Sequence, residues 1–398
     1  MEASLYIHVP FCSPSKCDYC DFYSIPVKSG DTRPGAFVET VLRGGEQLFE
    51  AFKPERIPTV FIGGGTPSVL GSGGIRALLG GIGQLIASFA STPEEVTVEA
   101  NPESADEAFL AAACEAGATR LSLGVQTFYG PSRQAVHRAG PCSGCSEPVP
   151  GETWLKRRLA LAAAYFPGAL SIDLISGLPF QDEKVLLDDI GAALACKPSH
   201  VSLYALTLED GTPLARTIMT RNENSGAELL PGRDEADRLW ICGRDALERA
   251  GYGQYEVSNF CLSGRESRHN IRYWRMQNWL ALGPSASGTI INDETGTGMR
   301  YTIPPNLKVI PVMQGMIVEE LDCLKLIKET FLMGFRYIKG PDGDLFRRRF
   351  RKGVEESIPG TLAKWRKRGL LQKGKTALAK EGLLFLDPFL LDAFEELL

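Results

Sequence analysis

Residues 6–22 read YIHVPFCSPSKCDYCDF. The apolar run Tyr6 to Pro10 leads into a loop with three cysteines, Cys12, Cys17 and Cys20, spaced C-x4-C-x2-C. Thiolates bind soft metals, and iron–sulfur clusters are held mainly by them. A cubane cluster has four irons, so three protein thiolates leave one iron open to a small chelating molecule. Zinc is the competing metal, but it usually needs a fourth protein ligand. The one histidine near the loop, His8, sits on the run before it. Ordinary small apolar thiols are the remaining reading.

Downstream, short apolar runs alternate with Ala/Leu-rich stretches. The runs are LYIHVP (5–10), TVFIGGG (59–65), EVTVEAN (95–101), RLSLGVQ (120–126), ALSIDLISGLP (169–179) and HVSLYALTLE (200–209). Segments such as GAFVETVLRGGEQLFEAF and DEAFLAAACEAGA read as helices between them. Strands alternating with crossover helices pair in parallel. Six units fall short of a closed eight-unit barrel, so the expected fold is α/β, a partial (β/α)6 barrel, with a doubly wound open sheet as competitor. The unusual residues collect at the strand C-termini: His8, GGGTP, EANPE, GVQTF and DLISGLP. That edge is where parallel α/β folds build their sites.

The 398 residues carry 44% hydrophobic and 23% charged residues, enough for a full core without staples. A net charge of −5 offers no basic field for nucleic acid. Residues 1–10 lack the form of a signal peptide, and no run of about 18 apolar residues is evident. A cytoplasmic protein without a transmembrane segment is therefore expected, with peripheral membrane contact left open. Residues 1–230 are expected to form the barrel core, 231–317 an extension containing HNIRYW, and 318–398 a small helical, winged-helix-like domain. The basic runs Arg347–Lys352 and Lys364–Arg368 read as solvated faces, or as a dock for an acidic partner or heme propionates. Cys142 and Cys145 form a C-x-x-C in an inserted loop, a surface feature or a second metal or redox pair.

The motifs together carry a resemblance. Y-x-H-x-P-F-C, GGGTPS (63–68), EANPE (99–103), LGVQTF (123–128), DLISGLP (173–179) and HNIRYW (269–274) occur in order. In this the chain resembles radical S-adenosylmethionine (SAM) proteins, in the HemN/HemW family of oxygen-independent coproporphyrinogen III oxidases and heme chaperones. The family spacing is C-x3-C-x2-C, so one more residue separates Cys12 from Cys17 here, in a Ser-Pro-Ser stretch. Ser287 stands where the family commonly has a histidine.

The resemblance implies a 4Fe–4S cluster on Cys12, Cys17 and Cys20, with SAM chelating the open iron. Gly64, Gly65 and Thr66, with Gly63, would cradle the methionine end of SAM. Glu99, Gln126, Arg138 and Asp173 match positions that contact SAM, and Tyr6 and Tyr19 match positions beside it. The plain alternatives are a tight turn for the glycines, an ion pair of Arg138 with Asp173 or Glu99, and core packing for the tyrosines. His269 is associated with heme in the chaperone branch; the alternative is a hydrogen-bonded imidazole in an aromatic core. The implied function is a heme chaperone that hands heme to a respiratory protein and takes electrons from an unidentified donor. Two features favour it over the oxidase: only 11 residues precede Cys12, and Phe22 stands where the oxidase has a further cysteine. The alternatives are oxidative decarboxylation of coproporphyrinogen III, converting a propionate to a vinyl group and carbon dioxide, and a degenerate heme- or metal-binding member.

Overall fold

The computed structural model describes residues 1–28, 30–89, 92–138, 151–225, 229–307 and 315–397. The chain opens with β1 (Ser4–Val9) and a two-strand ribbon, β2 (Phe11–Cys12) and β3 (Ile25–Pro26), that brackets the cysteine loop. Then α1 (Arg33–Phe52), β4 (Thr59–Gly64), α2 (Gly71–Phe89), β5 (Glu95–Ala100), α3 (Glu107–Glu115) and β6 (Arg120–Gln126) follow. Next come α4 (Gly130–Ala135), α5 (Glu152–Tyr165), β7 (Leu170–Ser176), α6 (Glu183–Leu194) and β8 (His200–Ala205). The six strands foreseen from the apolar runs pair in parallel and in chain order, β1-β4-β5-β6-β7-β8. That sequential order is the winding of a partial barrel, with no reversal point of the kind a doubly wound sheet requires.

The face of the strands that the helices cover is apolar. Leu5, Ile7 and Val9 of β1 are buried against the helices, and Ile62, Val98, Leu121 and Leu123 continue that layer. α1 packs through Phe37, Val38, Val41, Leu48 and Phe49, a helical period. Asp106 and Asp182 cap α3 and α6, each accepting from a backbone N–H three residues on at 2.8 Å. The stretch Pro67–Phe89 is long and apolar enough to cross a membrane by length and composition, which corrects the expectation that no such run exists. It serves here as a crossover, burying Ile75, Leu78, Leu79, Ile82, Leu85 and Ile86. Its outer face is small, with Gly73, Ala77, Gly80, Gly83 and Ala87.

Weak periodicity after residue 210 hides more sheet. Following α7 (Pro213–Ser225) and α8 (Arg233–Arg249), β10 (Asn259–Cys261) adds antiparallel to β8 and β9 (Gly253–Gln254) antiparallel to β10. After α9 (Arg268–Trp274), β11 (Trp279–Leu282) joins the other edge, parallel to β1. β12 (Ser287–Asn292), β13 (Thr297–Thr302) and β14 (Ile317–Leu321) continue antiparallel, giving a sheet of twelve strands. The helical reading of EELDCLKLIKETFLMGFR is trimmed at its front. Ile317–Leu321 is a strand, and the helix begins after Asp322, which caps the Lys325 N–H at 2.8 Å.

The C-terminal helices are α10 (Cys323–Gly334), α11 (Gly343–Phe350), α12 (Val354–Ser357), α13 (Pro359–Lys367), α14 (Lys380–Leu383) and α15 (Leu386–Glu396). They share a core in which Phe389 packs 4.4 Å from Phe335 and 5.2 Å from Trp365. The expected wing is reduced to one antiparallel bridge, Leu371 with Leu378. The Arg347–Lys352 run is not all solvated. Arg349 is buried, donating to the Met276 carbonyl at 3.0 Å and to Asp293 at 2.8 Å.

Gly283, at φ +94°, ends β11 beside β1, and a Cβ there would run into the His8 carbonyl. Gly117, at φ +100°, faces open space. Gly283→Ala is expected to destabilise the fold by about 3–5 kcal/mol, and Gly117→Ala by about 1 kcal/mol. Urea unfolding of the two variants checks this, and equal losses would show that the sheet yields at Gly283 without cost.

Candidate functional site

His8 is where the barrel grips the cysteine loop. Its Nδ1 accepts from the Tyr6 hydroxyl at 2.9 Å, and its Nε2–H donates to the Tyr23 carbonyl at 2.8 Å. Both ring nitrogens are spent within the protein, so His8 is not a zinc ligand. The Cys12 side of the loop is anchored by the ribbon, where the Val27 N–H reaches the Cys12 carbonyl at 2.9 Å. The Cys17–Cys20 side is anchored through Asp18. Its N–H donates to the Val136 carbonyl, its carbonyl accepts from the Leu214 N–H, and its carboxylate pairs with His137 Nδ1 at 2.5 Å. The extra residue of C-x4-C-x2-C falls between these two anchors, in Ser13–Lys16.

Cys12, Cys17 and Cys20 line one cavity of about 720 Å³ at the C-terminal ends of the parallel strands. Gly64, Gly65, Thr66, Glu99, Gln126, Arg138, Asp173 and Tyr19 line it too. A cleft of about 910 Å³ elsewhere, beside Tyr129 and Lys184, holds none of the residues singled out from the sequence. Tyr6 and His269 are not in the cavity wall. Tyr6 lies beneath it, bonded to His8 and 6.3 Å from the Phe61 ring. Cys142 and Cys145 lie outside the described residues.

The glycines answer first to the protein. A Cβ on Gly64, at φ +103°, would sit 2.5 Å from His8 Nδ1; one on Gly65, 2.5 Å from the Phe11 carbonyl; one on Gly63, 2.7 Å from Glu99 Oε2. β4 closes on His8 and on the loop entrance, so packing within the protein already requires small residues there. Thr66 Oγ1 accepts from Asn101 Nδ2 at 3.0 Å and lies 3.7 Å from Cys12 Sγ.

Arg138 makes no ion pair with Asp173 or Glu99 among the described residues. It donates to Asn101 Oδ1 at 3.0 Å and to the Gly124 carbonyl, and reaches Cys17 Sγ and the Tyr19 hydroxyl, each at 3.4 Å. Desolvation works against its charge, but Tyr19, Cys17 and Glu103 outweigh it and hold the guanidinium charged. The two carboxylates are thus left without a paired cation. Glu99 is pushed up to about 8, by desolvation first and by Asp173 second, against the Gly64 N–H that it accepts at 3.2 Å. Asp173 is raised mainly by desolvation, although the Ser122 hydroxyl donates to it at 3.1 Å. Gln126, at φ +69° beside a bulge in the β6–β7 pairing, carries a buried Oε1 with no partner.

These features test whether the residues suit a thiolate-held cluster with a cationic organic ligand. The donors are three thiols with no fourth ligand beside them. Burial pushes the Cys20 thiol up to about 11, with Cys17 and Cys12 adding to the rise. Metal binding would supply the positive charge that thiolates need there. Among the described residues no three His, Cys, Asp or Glu side chains lie close enough together to hold a metal ion as they stand. The cavity also offers two uncompensated carboxylates and an unpartnered amide oxygen, which suit an ammonium or sulfonium ligand. The chemistry fits.

His269 is 1% exposed. Its Nδ1 lies 2.8 Å from Thr59 Oγ1, and its ring packs 5.1 Å from Phe61 and 4.9 Å from Tyr273. Its backbone N–H donates to Glu95 at 3.0 Å. Thr59 and Glu95 begin their strands, so His269 sits at the barrel end opposite the cysteines. Burial pushes its imidazole down to about 3, and its Nε2 has no partner.

Comparisons with known proteins agree with this geometry. The Radical SAM superfamily profile matches residues 6–188. A "Heme chaperone HemW" from Lactococcus lactis subsp. lactis (strain IL1403) is 32% identical over 357 residues, covering 89% of this chain and 86% of the relative. The chain belongs to the HemW family of radical SAM proteins. A relative from Bos taurus, "Radical S-adenosyl methionine domain-containing protein 1, mitochondrial", is 33% identical over 343 residues, 84% of this chain and 73% of the relative. Among solved structures, coproporphyrinogen III oxidase (HemN) from Escherichia coli superposes with a TM-score of 0.74 at 20% identity, covering 98% of this chain and 90% of that one. That likeness shows the fold: a radical SAM α/β barrel with a C-terminal helical region. Family membership implies the 4Fe–4S cluster and SAM, for which this cavity has the donors.

Several cavity residues escaped the sequence reading. Ser122 and Tyr204 follow from period-two alternation, since they share a face with Gln126 and with Ser202. Asn101 lies inside the quoted EANPE. Arg336 comes from the C-terminal unit, and no local pattern marks it.

Glu99 yields a pH test. A carboxyl near 8 in the folded protein and near 4.5 when exposed is protonated in the fold first. Its contribution to stability is full below about pH 4.5 and is lost as pH rises toward 8. Without ligand, the wild type is expected to melt roughly 2–5 °C lower relative to Glu99→Gln at pH 8 than at pH 5. Parallel melting curves across that range would show Glu99 to be ionised already.

Proposed function

We propose that this protein is a heme chaperone: it binds heme, holds a 4Fe–4S cluster and SAM, and passes heme to a respiratory acceptor protein in the cytoplasm or at a membrane surface. The observation that carries the reading is the likeness, over most of the chain, to relatives named as heme chaperones. His269 supports it with a neutral imidazole whose Nε2 is unpartnered, the form needed to ligate heme iron. Since α9 is packed shut over that nitrogen, ligation requires α9 to move from the starts of β4 and β5.

In this reading Cys12, Cys17 and Cys20 hold the cluster, and Glu99, Asp173, Gln126 and Arg138 hold SAM. Tyr19 and Thr66 set the cavity wall, and Tyr6 steadies His8 beneath it. When bound, the cluster supplies an open iron and, from an electron donor, the electron for reductive cleavage of SAM. The protein's part is to orient the ligand, exclude water, and balance its positive charge on Glu99 and Asp173.

Hemin titration under anaerobic conditions tests the proposal. One hemin per chain is expected, with a visible spectrum that changes in His269→Ala and an affinity reduced about tenfold or more. Absence of hemin binding by the wild type overturns the chaperone reading. Conversion of coproporphyrinogen III to a decarboxylated product, read by mass, would instead favour the oxidase. Hemin binding without a cluster that responds to SAM would favour a degenerate binding member.

A further inference from the structure

The cavity is lined by residues between Cys12 and Glu209, with one exception, Arg336. This residue follows α10 and belongs to the C-terminal unit, which meets the barrel extension there through the Glu256–Tyr337 bridge. Its guanidinium stacks 5.0 Å from the centre of the Trp274 ring, and Trp274 ends α9, the helix that carries His269. One arm reaches Glu256 Oε2 at 3.5 Å, the long limit of a hydrogen bond. Glu256 is fully buried, and its other oxygen is taken by the Ser258 N–H at 2.7 Å. Arg336 Nε has no partner. The Trp274 stack and the long Glu256 ion pair hold the planar fork in place, while the side chain, 31% exposed, lines the cavity.

The surroundings say what that fork could meet. Tyr204 and Phe22 line the same cavity and are 43% and 62% exposed, unusual for aromatic side chains in a folded interior. Leu206 and Ile175 lie beside them. The other lining cations are committed: Arg138 to Asn101 and Gly124, and Lys16 to the Phe22 carbonyl at 2.6 Å. Open aromatic faces beside a part-used guanidinium suit a flat apolar ligand bearing a carboxylate.

We propose that Arg336 is the carboxylate-recognition residue of this cavity, pairing with an acidic side group of the flat ligand, so that the C-terminal unit selects what the barrel holds. The inference rests on the heme-binding reading above and assigns Arg336 to a heme propionate. The pairing competes with the Trp274 stack and the Glu256 contact, which places the carboxylate in reach of the helix that carries His269.

The test compares hemin with hemin dimethyl ester, which lacks the carboxylates, on the full chain. Wild type is expected to bind hemin roughly tenfold more tightly than the ester. Arg336→Met should lose about that factor for hemin and little for the ester, and Arg336→Lys should regain part of it. SAM affinity should stay within about twofold in both variants. Equal binding of hemin and ester by the wild type overturns the proposal without any variant. Equal losses for both ligands in Arg336→Met assign the residue to packing on Trp274 and overturn it as well, and a loss of SAM affinity assigns the guanidinium to SAM instead. If wild type binds neither hemin nor its ester, the chaperone reading itself fails, and this inference with it.

Discussion

The bond from His8 Nε2 to the Tyr23 carbonyl fixes the relation between barrel and cysteine loop. β1 is a central strand, held by β4 on one side and β11 on the other, so His8 inherits the rigidity of the sheet. Gly64 leaves room for its ring, and Gly283 for its backbone. Tyr6 sets the ring's tautomer by donating to Nδ1. One imidazole thus ties the return of the loop to the sheet, and the glycines at two strand ends exist to let it. Asp18 performs the complementary task at the far side of the loop, through Val136, Leu214 and His137. With both halves pinned, an added residue between Cys12 and Cys17 lengthens a tether and leaves the attachment points unchanged.

The cavity behind that loop is electrostatically incomplete. Glu99 and Asp173 are carboxylates in an environment that penalises their charge, and the Arg138 guanidinium is spent on Gly124, Asn101 and Cys17. Such a site is stabilised by a cationic ligand more than by any rearrangement of its own side chains. The Cys20 thiol has the opposite need, since burial opposes its ionisation until a metal arrives. Cluster and organic cation therefore suit different halves of one cavity for different physical reasons.

Much of this was legible in the sequence. Six apolar runs gave six parallel strands because one face of each is buried under the helices, and the special residues marked their C-terminal ends. The residues of the wall were legible by the same logic, since Glu99, Gln126 and Asp173 end or interrupt such runs with polar groups. What stayed hidden depends on contacts between distant segments. β11 is a four-residue strand whose partner lies at the chain's start, and Arg336 reaches the cavity only because the C-terminal unit packs on Tyr255 and Trp274. The packing demand on Gly63, Gly64 and Gly65 was hidden for a similar cause: their neighbours, Glu99, His8 and Phe11, are identified by tertiary packing alone. His269 and Tyr273 share a helix face as their spacing requires, yet spacing could not tell which end of the barrel that face would meet.

The central claim is that Cys12, Cys17 and Cys20 hold a cluster with one iron left for SAM despite the longer spacing. Mössbauer spectroscopy of the anaerobically reconstituted protein, with and without SAM, tests it most directly. The account predicts about four irons per chain and one iron site whose signal shifts alone when SAM is added. Four irons blind to SAM, or a protein that retains fewer than about three, would contradict it.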